Sequence, residues 1–275
     1  MVTKQALVVE GGAMRGVFAS GVLDSFLEHD YDPFDFYMGV SAGASNLIGY
    51  LANQPKRSIN IITQLATDKQ FYNPTRFLRG GDLTDVHWLV EQSFQQYPID
   101  LHCFNQKSPL YATTTNVQTG LAEYHRVNAD NLQQTIEATS ALPIAYKTLP
   151  ALNGQCYSDG GVADSIPVQE AYRRGAKSIT VILSRPQTGK KPSASNPWLW
   201  RRLFHRYPEL ATAMINRAKR YQESLDFIQS PPKDCQIKVI SPNSDFKVKR
   251  LTMKTALLER GYQQGLQRGL AYLDS

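Results

Sequence analysis

Over the first 185 residues, short continuous apolar runs alternate with stretches whose apolar positions recur every three or four residues. That is the rhythm of a parallel sheet covered by helices. Ala6 to Val9 is apolar throughout, as a strand buried on both faces requires. Gly11 to Gly16 then breaks the pattern, and Val17, Gly21, Val22, Phe26 and Leu27 fall at helical spacing up to Glu28. A second strand, turn and helix follow at Phe36 to Val40, Ser41 to Ala44 and Ser45 to Ala52.

Further along, the spacing predicts helices over 58–69 and 82–94 and a Thr-rich strand over 110–116, with a turn at 117–120 leading into a return strand over 121–127. Helix 131–141 ends before Pro143, and Asn153-Gly154 between apolar flanks predicts a hairpin whose second strand, 155–158, delivers Asp159. Pro167 opens a helix that Gly175 closes, and a strand follows over 178–183. At Arg185 the composition changes. A Pro, Gly, Ser and Lys segment, 186–197, reads as a linker. Beyond it come a tryptophan-bearing basic stretch, a helix over 208–228, a strand over 236–240 and a final helix over 250–273.

The expected division is a domain over 5–185 and a C-terminal extension over 186–275. Of the residues, 42% are hydrophobic and 20% charged, which excludes a disordered or low-complexity chain. Cys103, Cys156 and Cys235 lack CxxC spacing, so neither a disulfide framework nor a structural zinc site is expected. No apolar run approaches the eighteen or so residues of a membrane span, and no signal-peptide core is present, so the expected compartment is the cytoplasm. Residues 185–230 hold nine Lys/Arg against three Asp/Glu, an excess equal to the net charge of +6 of the whole chain. The basicity is therefore local, and it suits either an anionic surface or a solvated helix face.

Three motifs carry candidate chemistry. Glu10-Gly11-Gly12-Ala13-Met14-Arg15-Gly16, between a strand and a helix, can aim backbone N–H groups at an anion. A dinucleotide-binding turn is its rival, although Ala13 breaks the G-x-G-x-x-G spacing. Gly39-Val40-Ser41-Ala42-Gly43 is a G-x-S-x-G in the strand-to-helix context of a nucleophile elbow. Asp159-Gly160-Gly161 follows the hairpin strand and offers a carboxylate as base. None of His29, His87, His102, His125 and His205 stands in a recognisable motif, and a Ser41, Asp159, His205 triad is an alternative order.

In this order the motifs resemble those of the patatin-like phospholipases, and the similarity extends through Glu137 to Pro143 and Gly160 to Val168. The resemblance implies a three-layer α/β/α fold with a mainly parallel sheet and, here, a helical C-terminal extension. It also implies a serine acyl hydrolase with a Ser41–Asp159 dyad, an oxyanion hole from the amides of Gly11, Gly12 and Ala13, and Arg15 facing a substrate phosphate. Neither a metal nor an organic cofactor is implied. An acyltransferase or thioesterase could use the same dyad, and a nucleotide-binding regulator would use only the glycine loop. The expected partner is a lipid or acyl ester. Trp198, Trp200 and Phe204 with Arg201, Arg202 and Arg206 are expected to meet an anionic membrane, and no nucleic acid is expected.

Overall fold

A computed structural model describes residues 3–187 and 196–275. Eight strands, β1 (Lys4–Val9), β2 (Phe36–Val40), β3 (Leu110–Asn116), β4 (Ala122–Arg126), β5 (Ala151–Leu152), β6 (Gln155–Asp159), β7 (Ala176–Ile182) and β8 (Gln236–Ile240), form one mixed sheet. The order is β5-β6-β3-β2-β1-β7-β8, with β4 on β3. Strands β3, β2, β1, β7 and β8 run parallel, and β4 and β6 pair antiparallel with β3.

The strand pleat explains the three layers. Leu7 and Val9 of β1 join the core beneath Phe18, Val22 and Leu47, whereas Ala6 and Val8 join a second core with Ile166, Val168 and Tyr221. Helices Val17–Glu28, Ala42–Leu51 and Thr255–Leu273 cover the first face, and Val168–Arg173 and Pro208–Gln229 the second. This is the α/β/α architecture expected from the sequence. The Asn153-Gly154 turn has φ +50° and +79°, the left-handed pair of a two-residue hairpin, between β5 and β6.

Several elements differ from the sequence pattern. The helical spacing over 58–69 becomes a short α-helix, Arg57–Asn60, running into a π-helix, Ile61–Leu65. The helix expected over 82–94 starts at Val86, because the Asp85 carboxylate accepts the Trp88 amide at 3.0 Å and caps it. The final helix begins at Thr255 rather than near 250. The Arg250 carbonyl instead accepts the Met14 amide at 3.3 Å, tying 241–254 to the glycine loop as an irregular segment. Of the linker expected over 186–197, residues 188–195 lie outside the described residues.

The segment after residue 196 is built into the same body. β8 extends the sheet beyond β7, and the last helix lies against the first so closely that small residues are required. A Cβ at Gly265 would stand 2.1 Å from the Phe18 carbonyl oxygen, and one at Gly21 would stand 2.2 Å from that of Tyr262. Asp24 clips the junction, accepting from the Tyr262 hydroxyl at 2.8 Å and the Lys56 amide at 3.0 Å.

Candidate active site

Ser41 sits between the end of β2 and the helix Ala42–Leu51, with φ +52° and ψ −125°. A non-glycine residue holds this conformation only where its surroundings enforce it. They do so here by contact: a Cβ at Gly39 would lie 2.5 Å from the Ala44 Cα, and one at Gly43 would lie 2.5 Å from the Val9 carbonyl oxygen. The Ser41 amide donates to the Thr139 hydroxyl at 2.9 Å, and that hydroxyl donates to the Thr113 carbonyl.

Strand β3 brings Asp159 to this point. Val40 pairs with Thr113 and Asp159 with Thr114, so the ends of β2 and β6 meet consecutive residues of one strand. The Asp159 amide donates to the Ala141 carbonyl at 2.9 Å, and one carboxylate oxygen accepts the Gly161 amide at 2.7 Å. Segment 137–143 thus positions both residues, Thr139 holding Ser41 and Ala141 holding Asp159. Ser41 and Asp159 are both buried, and Ser41 is among the groups that act on the Asp159 carboxyl. Burial pushes the Asp159 carboxyl above its ordinary range against the opposing pull of Arg217, the Gly161 amide and Ser41. A carboxylate so placed is a stronger proton acceptor than one in water.

The glycine loop lies over the serine. Around it the backbone donors are used: Glu10 to Ile182, Met14 to Arg250 and Arg15 to Gly12. Among the described residues, the amides of Gly11, Gly12 and Ala13 donate to no protein acceptor. Gly11 stands beside the nucleophile, since a Cβ there would be 3.3 Å from that of Ser41. Ala13 holds φ +49°, a left-handed conformation that costs a side chain about 1 kcal/mol, which is the physical reason glycine suits this position. Buried Glu10 accepts the Ser184 amide at 2.7 Å and anchors the loop from beneath.

Two cavities meet at Ser41. The larger, about 1100 Å³ counting its open mouth, is apolar, with Met14, Ile62, Leu89, Phe94, Ile136 and Leu142 among its walls. The smaller is polar and brings Gly11, Gly12 and Ala13 together with Ser41, Asp159 and two arginines, Arg217 and Arg250. None of the five histidines lines either cavity. His205 instead bonds the Arg202 carbonyl at 3.3 Å on an exposed turn, so a Ser41, Asp159, His205 arrangement is not formed.

Arg15 does not line either cavity; its Nε and Nη2 atoms are buried without a hydrogen-bond partner among the described residues. Thr139, Arg217 and Arg250 were not anticipated from the sequence. The local basicity of 185–230 pointed to the region of Arg217 but not to the residue. The aromatic stretch divides in two. Trp200 and Phe204 stack at 6.1 Å and pack against the core around Leu210 and Met214, whereas Trp198, Leu199 and Leu203 are exposed beside Arg201 and Arg202.

Residues 7–172 match the family model described as Patatin-like phospholipase, and residues 207–275 match one described as Domain of unknown function (DUF6363). The uncharacterized protein YjjU of Escherichia coli K12 is 33% identical over 276 residues, 98% of this chain and 76% of its own length. The crystal structure of VipD from Legionella pneumophila shares the fold at a TM-score of 0.56 and 13% identity, over 99% of this chain and 67% of that one.

Proposed function

The chain belongs to the patatin-like phospholipase family, and from that premise we propose that it hydrolyses lipid acyl esters with a Ser41–Asp159 dyad. The observation that carries this reading is the strained, buried Ser41 facing both Asp159 and an apolar cavity wide enough for an acyl chain. Asp159 accepts the Ser41 proton as Oγ attacks the ester carbonyl. The negative charge that develops on the carbonyl oxygen is met by the amides of Gly11, Gly12 and Ala13. The ester C–O bond breaks, and Asp159 returns the proton to the leaving alcohol, leaving an acyl group on Ser41. Water then attacks that acyl group, giving its proton to Asp159, which passes it back to Ser41 as the fatty acid departs. No histidine is required.

A fluorophosphonate probe tests the assignment. It is expected to label the wild type at Ser41 and not the Ser41→Ala variant. Labelling that survives the substitution refutes the dyad.

Exposed Trp198, Leu199 and Leu203 share one short stretch with exposed Arg201, Arg202 and Arg206, a combination that suits an anionic bilayer. Each basic residue near such a surface contributes about 1 kcal/mol. Co-sedimentation is expected with anionic vesicles at low salt and to fall for Trp198→Ala. Equal binding to neutral vesicles overturns this docking mode.

A further inference from the structure

The apolar cavity beside Ser41 holds a charge that a plain hydrocarbon chain does not use. Arg57, in the short helix Arg57–Asn60, is only 6% exposed and lines that cavity. Its stem lies over Gly49, where a Cβ would stand 3.7 Å from the Arg57 Cβ and 3.2 Å from the Ser58 hydroxyl oxygen. Ser58 is buried and lines the cavity as well.

The helix Val86–Gln96 accounts for part of the guanidinium. Nε donates to the Tyr97 carbonyl at 2.9 Å and Nη2 to the Ser93 carbonyl at 3.3 Å, at the negative end of that helix, and Cζ lies 5.6 Å from the centre of the Phe94 ring. The rest of the group is left over. Among the described residues, Nη1 and the Ser58 hydroxyl donate to no acceptor, Arg57 forms no salt bridge, and no Asp or Glu lines the cavity. Burial alone pulls Arg57 down to about 10, with no neighbouring carboxylate to oppose it. A desolvated cation without a counter-charge is costly, and an anion that reaches it removes that cost. A guanidinium with free N–H groups beside a free hydroxyl matches a carboxylate.

The helix Ala42–Leu51 sets the distance. Gly49 follows Ser41 by eight residues, so at a rise of about 1.5 Å per residue the Arg57 stem stands about 12 Å along the helix from the nucleophile. An extended hydrocarbon, with bonds of about 1.52 Å and angles near 111°, advances about 1.25 Å per carbon, so roughly ten carbons cover that interval.

We propose that Arg57, assisted by Ser58, is a specificity-determining residue that receives a carboxylate at the far end of the acyl chain, so that the preferred acyl groups are medium-length dicarboxylic acids esterified at one end. This rests on the assignment of Ser41 as the acyl-accepting nucleophile. With the scissile carbonyl at Ser41 and the methylenes between the apolar walls, the free carboxylate of a ten-carbon diacid arrives at Arg57. A methyl end at the same place leaves the guanidinium unpaired.

The test compares two soluble esters of 4-methylumbelliferone, the decanoate and the decanedioate monoester, using the full chain. A purely apolar cavity excludes the carboxylate and favours the decanoate. The wild type is expected instead to favour the decanedioate monoester in kcat/KM by about tenfold, the weight of a hydrogen bond to a charged group. Arg57→Gln should reduce that ratio at least about tenfold, and Arg57→Lys should recover part of it. If Arg57 only caps the helix, its loss lowers both rates together and leaves the ratio unchanged, which overturns the proposal.

A chain-length series on the wild type needs no variant to fold. The ratio of each ω-carboxy ester to its methyl-ended counterpart should peak near ten carbons; a ratio below one at every length between about six and about fourteen carbons, or one that does not vary with length, overturns the proposal. Failure of the hydrolase reading is separate, since it shows as absent fluorophosphonate labelling and no turnover of any ester. In that case, thermal stabilisation by monomethyl decanedioate that methyl decanoate does not give, and that is lost in Arg57→Gln, still supports the subsite, and no stabilisation of the wild type overturns it.

Discussion

Replacing Asp159 by Asn separates its chemical role from its structural one. The Asn side-chain oxygen can keep the 2.7 Å bond from the Gly161 amide, so the turn is retained, while an NH₂ that cannot take a proton replaces the oxygen facing Ser41. Loss of a general base lowers turnover about 10²- to 10⁴-fold, equivalent to roughly 3–5.5 kcal/mol in the barrier. Stability should move the other way. Desolvation is the largest influence on Asp159 and raises its pKa above the ordinary value of 3.8, so the fold binds this proton more tightly than the unfolded chain does. The stability this gives is fully present below the unfolded pKa and is lost as pH rises through the folded one. At pH 8 the ionised Asp159 therefore destabilises the fold, and a neutral Asn relieves it. The assay is kcat/KM on a soluble ester across pH, with a melting curve for each protein. Wild-type activity should rise with pH as Asp159 ionises, and the variant should be nearly inactive with a melting temperature equal to or above that of wild type. An Asn variant that keeps activity within tenfold, or that loses stability together with activity, refutes the reasoning.

Ser41→Gly removes the nucleophile and also the φ +52° strain, so it should abolish fluorophosphonate labelling while raising unfolding free energy by about 1 kcal/mol in urea titration; a less stable variant argues against a strained elbow. Gly265→Ala drives a Cβ to within 2.1 Å of the Phe18 carbonyl and should cost about 2–3 kcal/mol in the same titration. A change below about 0.5 kcal/mol shows that the helices separate easily. The buried Asp24 carboxyl is pushed up to about 6 from 3.8, so wild-type stability should be higher by roughly 3 kcal/mol below pH 4 than above pH 6 on this account. Asp24→Asn should remove that part of the pH dependence, and identical pH profiles for the two proteins exclude it.

How much of this site could be read from the sequence depended on how local each cause is. The Ser41 elbow is legible because its pattern is local, a buried strand, two glycines and a helix of small residues, although Gly43 packs on Val9 and Thr139 holds the Ser41 amide. Asp159 is legible only as a turn residue, because its meeting with Ser41 is decided by the register of β3 between β2 and β6. Trp198, Trp200 and Phe204 look alike in sequence. Only the docking of the helix Pro208–Gln229 decides that Trp200 and Phe204 pack inward while Trp198 does not. Arg250 fell within a predicted helix, and its place at the site follows from a carbonyl taken by Met14, a contact across most of the chain that no local periodicity contains.

The same non-local contacts bear on what the C-terminal segment does. Composition changes sharply at Arg185, but the packing does not follow that change. β8 covers the edge of β7, and the Gly265 face of the last helix fills the groove along the first helix. That first helix begins directly after the glycine loop, whose Met14 amide is held by Arg250. The segment therefore touches the candidate site in three ways: it braces the helix behind the glycine loop, it accepts from a backbone donor in that loop, and it places Arg217 and Arg250 in the polar recess with Ser41 and Asp159. One set of helix contacts thus ties the C-terminal segment both to the glycine loop and to the recess, so a change at Gly21 or Gly265 is expected to reach both.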